Sequence, residues 1–115
     1  MICSAYFGEL CNDRKKQWDY KDNNPYAVLK TSVKLDRKGH DLLSYGQLYF
    51  EDRIQIDWGS FAWKATEKQI LVFLEDHQSK LPWLVEDDVL MVKQVKQYIK
   101  EHEDASYGVV FVEES

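Results

Sequence analysis

The chain has 115 residues and a formal net charge of −5, with 44% hydrophobic, 14% aromatic and 30% charged residues. This composition is typical of a folded globular protein and not of a disordered chain. The excess of Asp and Glu over Lys and Arg disfavours nucleic acid or an anionic membrane as partner, because phosphate groups are bound by basic surfaces. No apolar run approaches the roughly 20 residues that a membrane-spanning helix needs.

The charge is unevenly distributed along the chain. Residues 1–50 carry a net charge of +2 and residues 51–115 a net charge of −7. An acidic half favours a basic partner through long-range attraction that salt would weaken, although solubility explains the same charge. Cys3 and Cys11 are too few for a disulfide framework or a four-ligand zinc site. We therefore expect a reduced, cytoplasmic protein without a metal or other cofactor.

The first half of the chain predicts strands. Residues 2–10 form a first strand, and the polar stretch 11–25, which contains Trp18 and Tyr20, forms a loop. Residues 26–36 alternate between apolar and polar side chains, which predicts a half-buried strand. Residues 42–50 are predicted as a further strand with Gly46 as a bulge. Together with the alternating IQIDW at 54–58 they would form a hairpin over 43–58, and 58–63 would continue the sheet.

The second half predicts two helices and a last strand. Thr66 and Gln69 form a capping-box pattern at a helix start, followed by an apolar stripe containing Ile70, Phe73 and Leu74. A second helix is predicted over 87–103, with Met91, Val92, Val95, Tyr98 and Ile99 as its buried stripe. Residues 107–112 are apolar on both faces, which predicts a central or helix-covered strand. The expected fold is one α+β domain over 1–115, with four to five antiparallel strands, two helices on one face and the order β-β-β-β-α-α-β.

The stretch KLPWLVEDDVL, residues 80–90, places a tryptophan beside three acids. If Glu86, Asp87 and Asp88 begin the second helix, its unpaired N–H groups and dipole stabilise them, so helix capping alone explains the acids. Trp83 would then cover the core beneath the connector. The alternative is that Trp83 is a surface anchor beside an acidic rim, as in a hot spot for a basic partner.

Patterns that would indicate catalysis are missing from the sequence. It contains no Gly-rich phosphate loop and no HExxH, GxSxG or CxxC motif. The histidines, His40, His77 and His102, are scattered. The candidate carboxylates are Glu51 and Asp52, which we expect in a turn, and Asp57, which we expect on a solvated face. These patterns favour a binding protein over an enzyme.

The resulting hypothesis is a small bacterial binding protein of the immunity or antitoxin type. It would neutralise a basic toxin, such as a nuclease, by occluding it. The predicted contact residues are aromatic anchors and acids: Trp63, Trp83, Glu86, Asp87, Asp88, Glu101, Glu103 and Asp104. Two alternatives stay open. One is a structural or accessory subunit of phage or mobile-element type, with which a homodimer is compatible. The other is a small enzyme with a carboxylate such as Asp57 in a pocket.

Overall fold

The computed structural model describes residues 2–11, 28–35, 37–57 and 59–114. Within them the chain has the predicted α+β fold, with five strands in one antiparallel sheet and three helices. Most of the predicted loop, including Trp18 and Tyr20, lies outside the described residues. The elements in chain order are β1 (Ile2–Leu10), β2 (Leu29–Lys34), α1 (Gly39–Tyr49), β3 (Glu51–Asp57), β4 (Ser60–Ala65), α2 (Glu67–Asp76), α3 (Pro82–Glu101) and β5 (Tyr107–Glu114).

The last strand of the chain occupies the centre of the sheet. The strand order is β2-β1-β5-β4-β3, so β5 pairs with β1 on one side and β4 on the other. Residues 107–112 are all buried, on both faces, because an inner strand is covered from both sides. The prediction of a central strand from the run YGVVFV is therefore confirmed.

The prediction of a strand at 42–50 is wrong, because this stretch belongs to helix α1. Leu42 and Gly46 are buried one helical turn apart, whereas Ser44, which a strand would place on the same face, is exposed. Gly46 is not a bulge: a Cβ atom there would lie 3.1 Å from Cζ2 of Trp63, so glycine allows the helix to approach the indole. The hairpin consequently joins β3 to β4 through the turn at Gly59, where φ is 75°.

The helices pack on one face of the sheet, as predicted. A large core cluster between helices and sheet contains Phe7, Trp63, Phe73, Val95 and Phe111, and the alternate strand positions form a second cluster on the other face. The predicted stripes of α2 and α3 are buried or half-buried in the large cluster. None of the described helices is long and apolar enough to cross a membrane.

Helix starts show how local sequence fixes these elements. The capping box at α2 is confirmed: the Gln69 N–H donates to Thr66 Oγ1 (3.1 Å), and the Thr66 N–H donates to Gln69 Oε1 (2.9 Å). Each bond gives a side-chain acceptor to a backbone N–H that would otherwise have no hydrogen-bond partner at the start of the helix.

The hydroxyl of Tyr98 connects α3 to the neighbouring strands β1 and β2. It accepts a hydrogen bond from the Glu9 N–H of β1 (2.8 Å) and lies 3.0 Å from the Thr31 carbonyl oxygen of β2, to which it donates. Thr31 Oγ1 lies 2.6 Å from the same hydroxyl. The contact coincides with an irregularity in the β1–β2 register at Glu9 and Leu10. Tyr98 thus satisfies backbone groups that the irregular ladder leaves open.

Candidate protein-contact site

The α3 helix begins at Pro82, five residues before the predicted start. Leu81 is the N-cap residue, with extended backbone angles, and Pro82 occupies the first helical position. Proline suits that position because its fixed φ is helical and its missing N–H has no intrahelical acceptor there. The first turn therefore contains no acid. The explanation of Glu86, Asp87 and Asp88 as helix caps is wrong, since they lie in the second turn.

Asp88 belongs to a buried polar network. It is 3% exposed, and its Oδ2 accepts a hydrogen bond from the Ser79 N–H (2.6 Å). Its Oδ1 lies 3.5 Å from Lys38 Nζ and 3.4 Å from Arg37 Nη2. Lys38, itself 4% exposed, also donates to the His77 carbonyl oxygen. The network ties the turn before α1 to the connector between α2 and α3, so Asp88 serves the fold and offers a partner no surface.

Trp83 lies on the surface at the start of α3. Its side chain is 72% exposed, so the prediction that it covers the core is wrong, and the surface position of the alternative is the one observed. Leu90, two helical turns further on, is 54% exposed, and Glu86 and Asp87 are exposed between them. We call Trp83, Glu86, Asp87 and Leu90 the anchor surface. An exposed indole and leucine beside two acids have the composition of a contact patch for a basic partner.

The two acids of the anchor surface differ in whether they form an ion pair within the chain. Asp87 Oδ2 accepts from Arg37 Nη1 at 3.1 Å, and this ion pair is largely solvated. Glu86 forms no ion pair with any residue in the part of the chain that the structure describes. Glu86 is therefore the acid whose charge is free to meet a cation of a partner, whereas Asp87 would have to share Arg37.

Trp63 is placed in the core and not on the surface. It is 2% exposed, packs against Gly46 of α1, and its Nε1 is buried without a hydrogen-bond partner among the described residues. Because its indole is not accessible to a partner, we leave Trp63 out of the contact site.

The remaining predicted acids lie at the opposite end of α3. Glu101, Glu103 and Asp104 are exposed at and after its last turn. A helix rises about 1.5 Å per residue, so Trp83 and Glu101 are roughly 27 Å apart along the axis. The structure therefore does not bring all predicted residues into one patch. Residues 83–87 form one group, and residues 101–104 form another.

Glu103 and Asp104 line a wide groove of about 880 Å³. Its lining carries both signs of charge, with three lysines and four acids, together with apolar residues. The charged lining residues are Lys64, Lys96, Lys100, Glu51, Glu67, Glu103 and Asp104, and the apolar ones include Leu10, Ala65, Ile99 and Ala105. This mixture gives the groove no preference for a ligand of one sign.

Tyr107 also lines the groove, but its hydroxyl is hydrogen-bonded within the chain. Its hydroxyl donates to the His102 carbonyl oxygen at 2.6 Å. Burial raises the pKa of Tyr107, and the neighbouring Glu67 raises it further. The phenol consequently stays protonated and serves as a hydrogen-bond donor. The described carboxylates that line the groove, Glu51, Glu67, Glu103 and Asp104, are all exposed, so none of them is shielded from water. The side chain of Asp57, the carboxylate of the enzyme alternative, is not among those that the structure describes.

Two residues of the site have no counterpart among the predictions. Leu90 completes the anchor surface, and the i, i+7 spacing from Trp83 is the signal that could have identified it. Arg37 pairs with Asp87 and Asp88 from about 50 positions away, and no local pattern indicates such a contact. Among the described residues, no group of three His, Cys, Asp or Glu side chains is placed to hold a metal ion.

Comparison of the chain with protein-family models, with curated proteins and with solved structures found no match. The site must therefore be interpreted from its own geometry.

Proposed function

We propose that this chain is an inhibitor of the immunity or antitoxin type, which binds a basic protein toxin, such as a nuclease, and occludes it. The observation that carries the proposal is the 72% exposure of Trp83 beside Glu86 and Asp87. A folded chain gains nothing from holding an indole in water, whereas burying most of it against a partner would contribute about 3–4 kcal/mol at roughly 25 cal/mol per Å².

The charge of the chain supports a basic partner. The overall net charge is −5, and Glu86 is unpaired among the described residues. Nucleases bind phosphate through Lys and Arg, so an acidic surface that meets those side chains both attracts the toxin and covers the residues it needs. The association should therefore be fast at low salt and weaken as salt rises.

The test is capture of partners from native host lysate by the tagged chain at low and high salt, with mass spectrometry of the retained proteins. We expect one basic protein, held stoichiometrically and released by salt, whose toxic activity the chain suppresses in a purified assay. Trp83→Ala should weaken binding by at least about 30-fold, the effect of losing a hot-spot aromatic, and Glu86→Lys should weaken it through repulsion.

Matched control variants make the result specific to the anchor surface. Leu48 of α1 is 74% exposed and Glu75 of α2 is exposed, and neither belongs to that surface. Leu48→Ala and Glu75→Lys should retain the partner as the unmodified chain does. Equal losses in Trp83→Ala and Leu48→Ala, or the capture of no basic protein, would contradict the proposal.

The subunit alternative has one observation in its favour. Tyr45 and Leu48 of α1, three positions apart and therefore on one side of the helix, are 45% and 74% exposed, and neighbouring exposed apolar residues suit self-association. Sedimentation of the purified chain separates the two hypotheses. A concentration-dependent dimer that Leu48→Ala disperses would favour the subunit, whereas a monomer favours the inhibitor.

A further inference from the structure

The position of the Trp83 side chain depends on the first turn of α3. The indole is largely exposed, and within the part of the chain that the structure describes it forms no ring contact and no side-chain hydrogen bond. Its place is therefore set by the backbone that carries it, one residue after Pro82. The N–H groups of a first helical turn have no acceptor within the helix, so such a turn is ordered by contacts from outside it. These contacts decide where the anchor surface presents Trp83.

The start of α3 lacks the residues of the capping box that orders the start of α2. At α2, Thr66 and Gln69 each accept the other's backbone N–H through a side-chain oxygen. The corresponding positions at α3 are the N-cap residue Leu81 and, three residues on, Leu84. Neither leucine has a side-chain oxygen, so neither can accept a hydrogen bond in this way. The N–H of Leu81 therefore needs an acceptor from elsewhere in the chain.

Ser79, which lies two residues before the N-cap, supplies that acceptor. Its Oγ accepts the N–H of Leu81 at 3.2 Å. The carbonyl oxygen of Leu81 accepts the N–H of Leu84 at 2.9 Å, and this second bond closes the turn that contains Trp83. A serine hydroxyl that accepts the N–H two residues further on fixes a local turn. At α3 this bond replaces the one that the Gln69 side chain forms at α2.

The backbone of Ser79 is itself held by the buried network. Its N–H donates to Asp88 Oδ2 at 2.6 Å, and Asp88 Oδ1 lies 3.5 Å from Lys38 Nζ. Lys38 also donates to the carbonyl oxygen of His77, two residues before Ser79. Asp88 and Lys38 are both buried. Ser79 thus connects the buried network, through its N–H, to the start of α3, through its hydroxyl.

We propose that Ser79 is a positioning residue for Trp83, and that it acts through the hydrogen bond that its hydroxyl accepts from the Leu81 N–H. The inference rests on the proposed function, in which Trp83 is the anchor for a basic partner. An anchor that is already in place loses less conformational entropy when the partner binds, and this raises the affinity without a new contact. Ser79 therefore contributes to binding without touching the partner.

Ser79→Ala tests the proposal, with Gln69→Ala as its matched control. Each substitution removes the side-chain oxygen that accepts the N–H of an N-cap residue, at α3 in the first variant and at α2 in the second. A general effect of losing such a bond would appear in both variants, whereas a role at Trp83 would appear only in Ser79→Ala. Ser79→Thr retains a hydroxyl that can accept the same N–H, so it should behave as the unmodified chain does.

The first measurement is ¹⁵N relaxation and amide exchange of the free chain. The backbone N–H of Trp83 should have an order parameter of about 0.85 in the unmodified chain, and Ser79→Ala should lower it to about 0.6. The N–H groups of Leu81 and Leu84 should exchange about 3- to 10-fold faster, the effect of losing one hydrogen bond. Gln69→Ala should leave all three groups unchanged. Unchanged order and exchange in Ser79→Ala, or equal changes in Gln69→Ala, would overturn the positioning role.

The second measurement is the affinity of each variant for the basic protein captured from the lysate. Ser79→Ala should weaken binding by about 3- to 10-fold, because the partner must then order the first turn of α3 as it binds. Ser79→Thr and Gln69→Ala should bind as the unmodified chain does. Full affinity in Ser79→Ala, or the same loss in Ser79→Thr, would contradict a role of the hydroxyl.

The two proposals can fail separately. If Trp83→Ala releases the partner but Ser79→Ala changes neither the order of Trp83 nor the affinity, the inhibitor role stands and the positioning role is overturned. If Ser79→Ala loosens the first turn of α3 as expected but the lysate yields no basic protein, Ser79 still positions Trp83 and the inhibitor role is overturned.

Discussion

Replacing Asp88 by Asn should destabilise the protein strongly, although the two residues have nearly the same shape. Asp88 is 3% exposed and lies within 3.5 Å of Lys38 Nζ and 3.4 Å of Arg37 Nη2. The amide of Asn can still accept the Ser79 N–H, but it no longer carries the negative charge. Lys38 would then stay buried with the His77 carbonyl oxygen as its remaining acceptor.

The magnitude follows from the burial of the pair. Removing one partner of a buried ion pair costs about 3–5 kcal/mol. Because Asn keeps the volume of Asp and the bond from the Ser79 N–H, we expect the cost of the Asn variant to be about 3 kcal/mol. The entropy of unfolding is about 2.1 cal/mol/K per residue, or roughly 0.24 kcal/mol/K for a chain of this length. We therefore expect Asp88→Asn to lower Tm by about 12 °C.

The measurement is thermal and urea unfolding followed by circular dichroism, with Asp87→Asn as the matched control. Asp87 is the neighbouring residue, has the same chemistry and pairs with the same Arg37, but its side chain is 62% exposed. Its replacement should change stability by no more than about 0.5 kcal/mol, or about 2 °C. Similar shifts in the two variants, or a shift below about 4 °C for Asp88→Asn, would refute the reasoning.

Three further substitutions test the fold. Tyr98→Phe removes the hydroxyl that joins Glu9 and Thr31, so unfolding should become easier by about 1–3 kcal/mol, with faster amide exchange at Glu9 than in the unmodified chain. Thr66→Ala removes the cap of α2 and should cost about 1 kcal/mol in urea unfolding. Burial, followed by nearby carboxylates, raises the pKa of Tyr107 above 10.0, so the folded state keeps this proton longer than the unfolded state. Stability should therefore fall as pH rises above about 10, and Tyr107→Phe should flatten that fall in urea midpoints measured from about pH 8 to 11.

The sequence predicted those elements whose signals are local. The Thr66–Gln69 capping box, the stripe of α3 and the apolar run of β5 are each visible in a short window. Helix α1 was missed because LLSYGQLYF contains three aromatic residues, which favour strands, and a glycine, which disfavours a helix. Gly46 of this helix lies against Trp63, and a contact between residues 17 positions apart has no local signal.

The candidate site was predictable only in part, for a similar reason. The proximity of Trp83 to the acids is evident from the segment KLPWLVEDDVL. The helix start at Pro82 was not predicted, although proline is common in the first helical position and could have indicated it. The burial of Asp88 could not be predicted, because it depends on Arg37 and Lys38, about 50 positions away. The burial of Trp63 could not be predicted either, because it depends on packing against α1.

Asp87 and Asp88 show why the three acids of this stretch must be changed one at a time. Successive residues of a helix point about 100° apart, so Asp87 faces water while Asp88 faces Lys38. A variant that replaces Glu86, Asp87 and Asp88 together would lose the buried network along with the surface charge, and any loss of binding could follow from unfolding. Glu86→Lys changes the surface alone, since Glu86 is exposed and unpaired among the described residues. A loss of partner binding in that variant, at unchanged Tm, would therefore be attributable to contact and not to the fold.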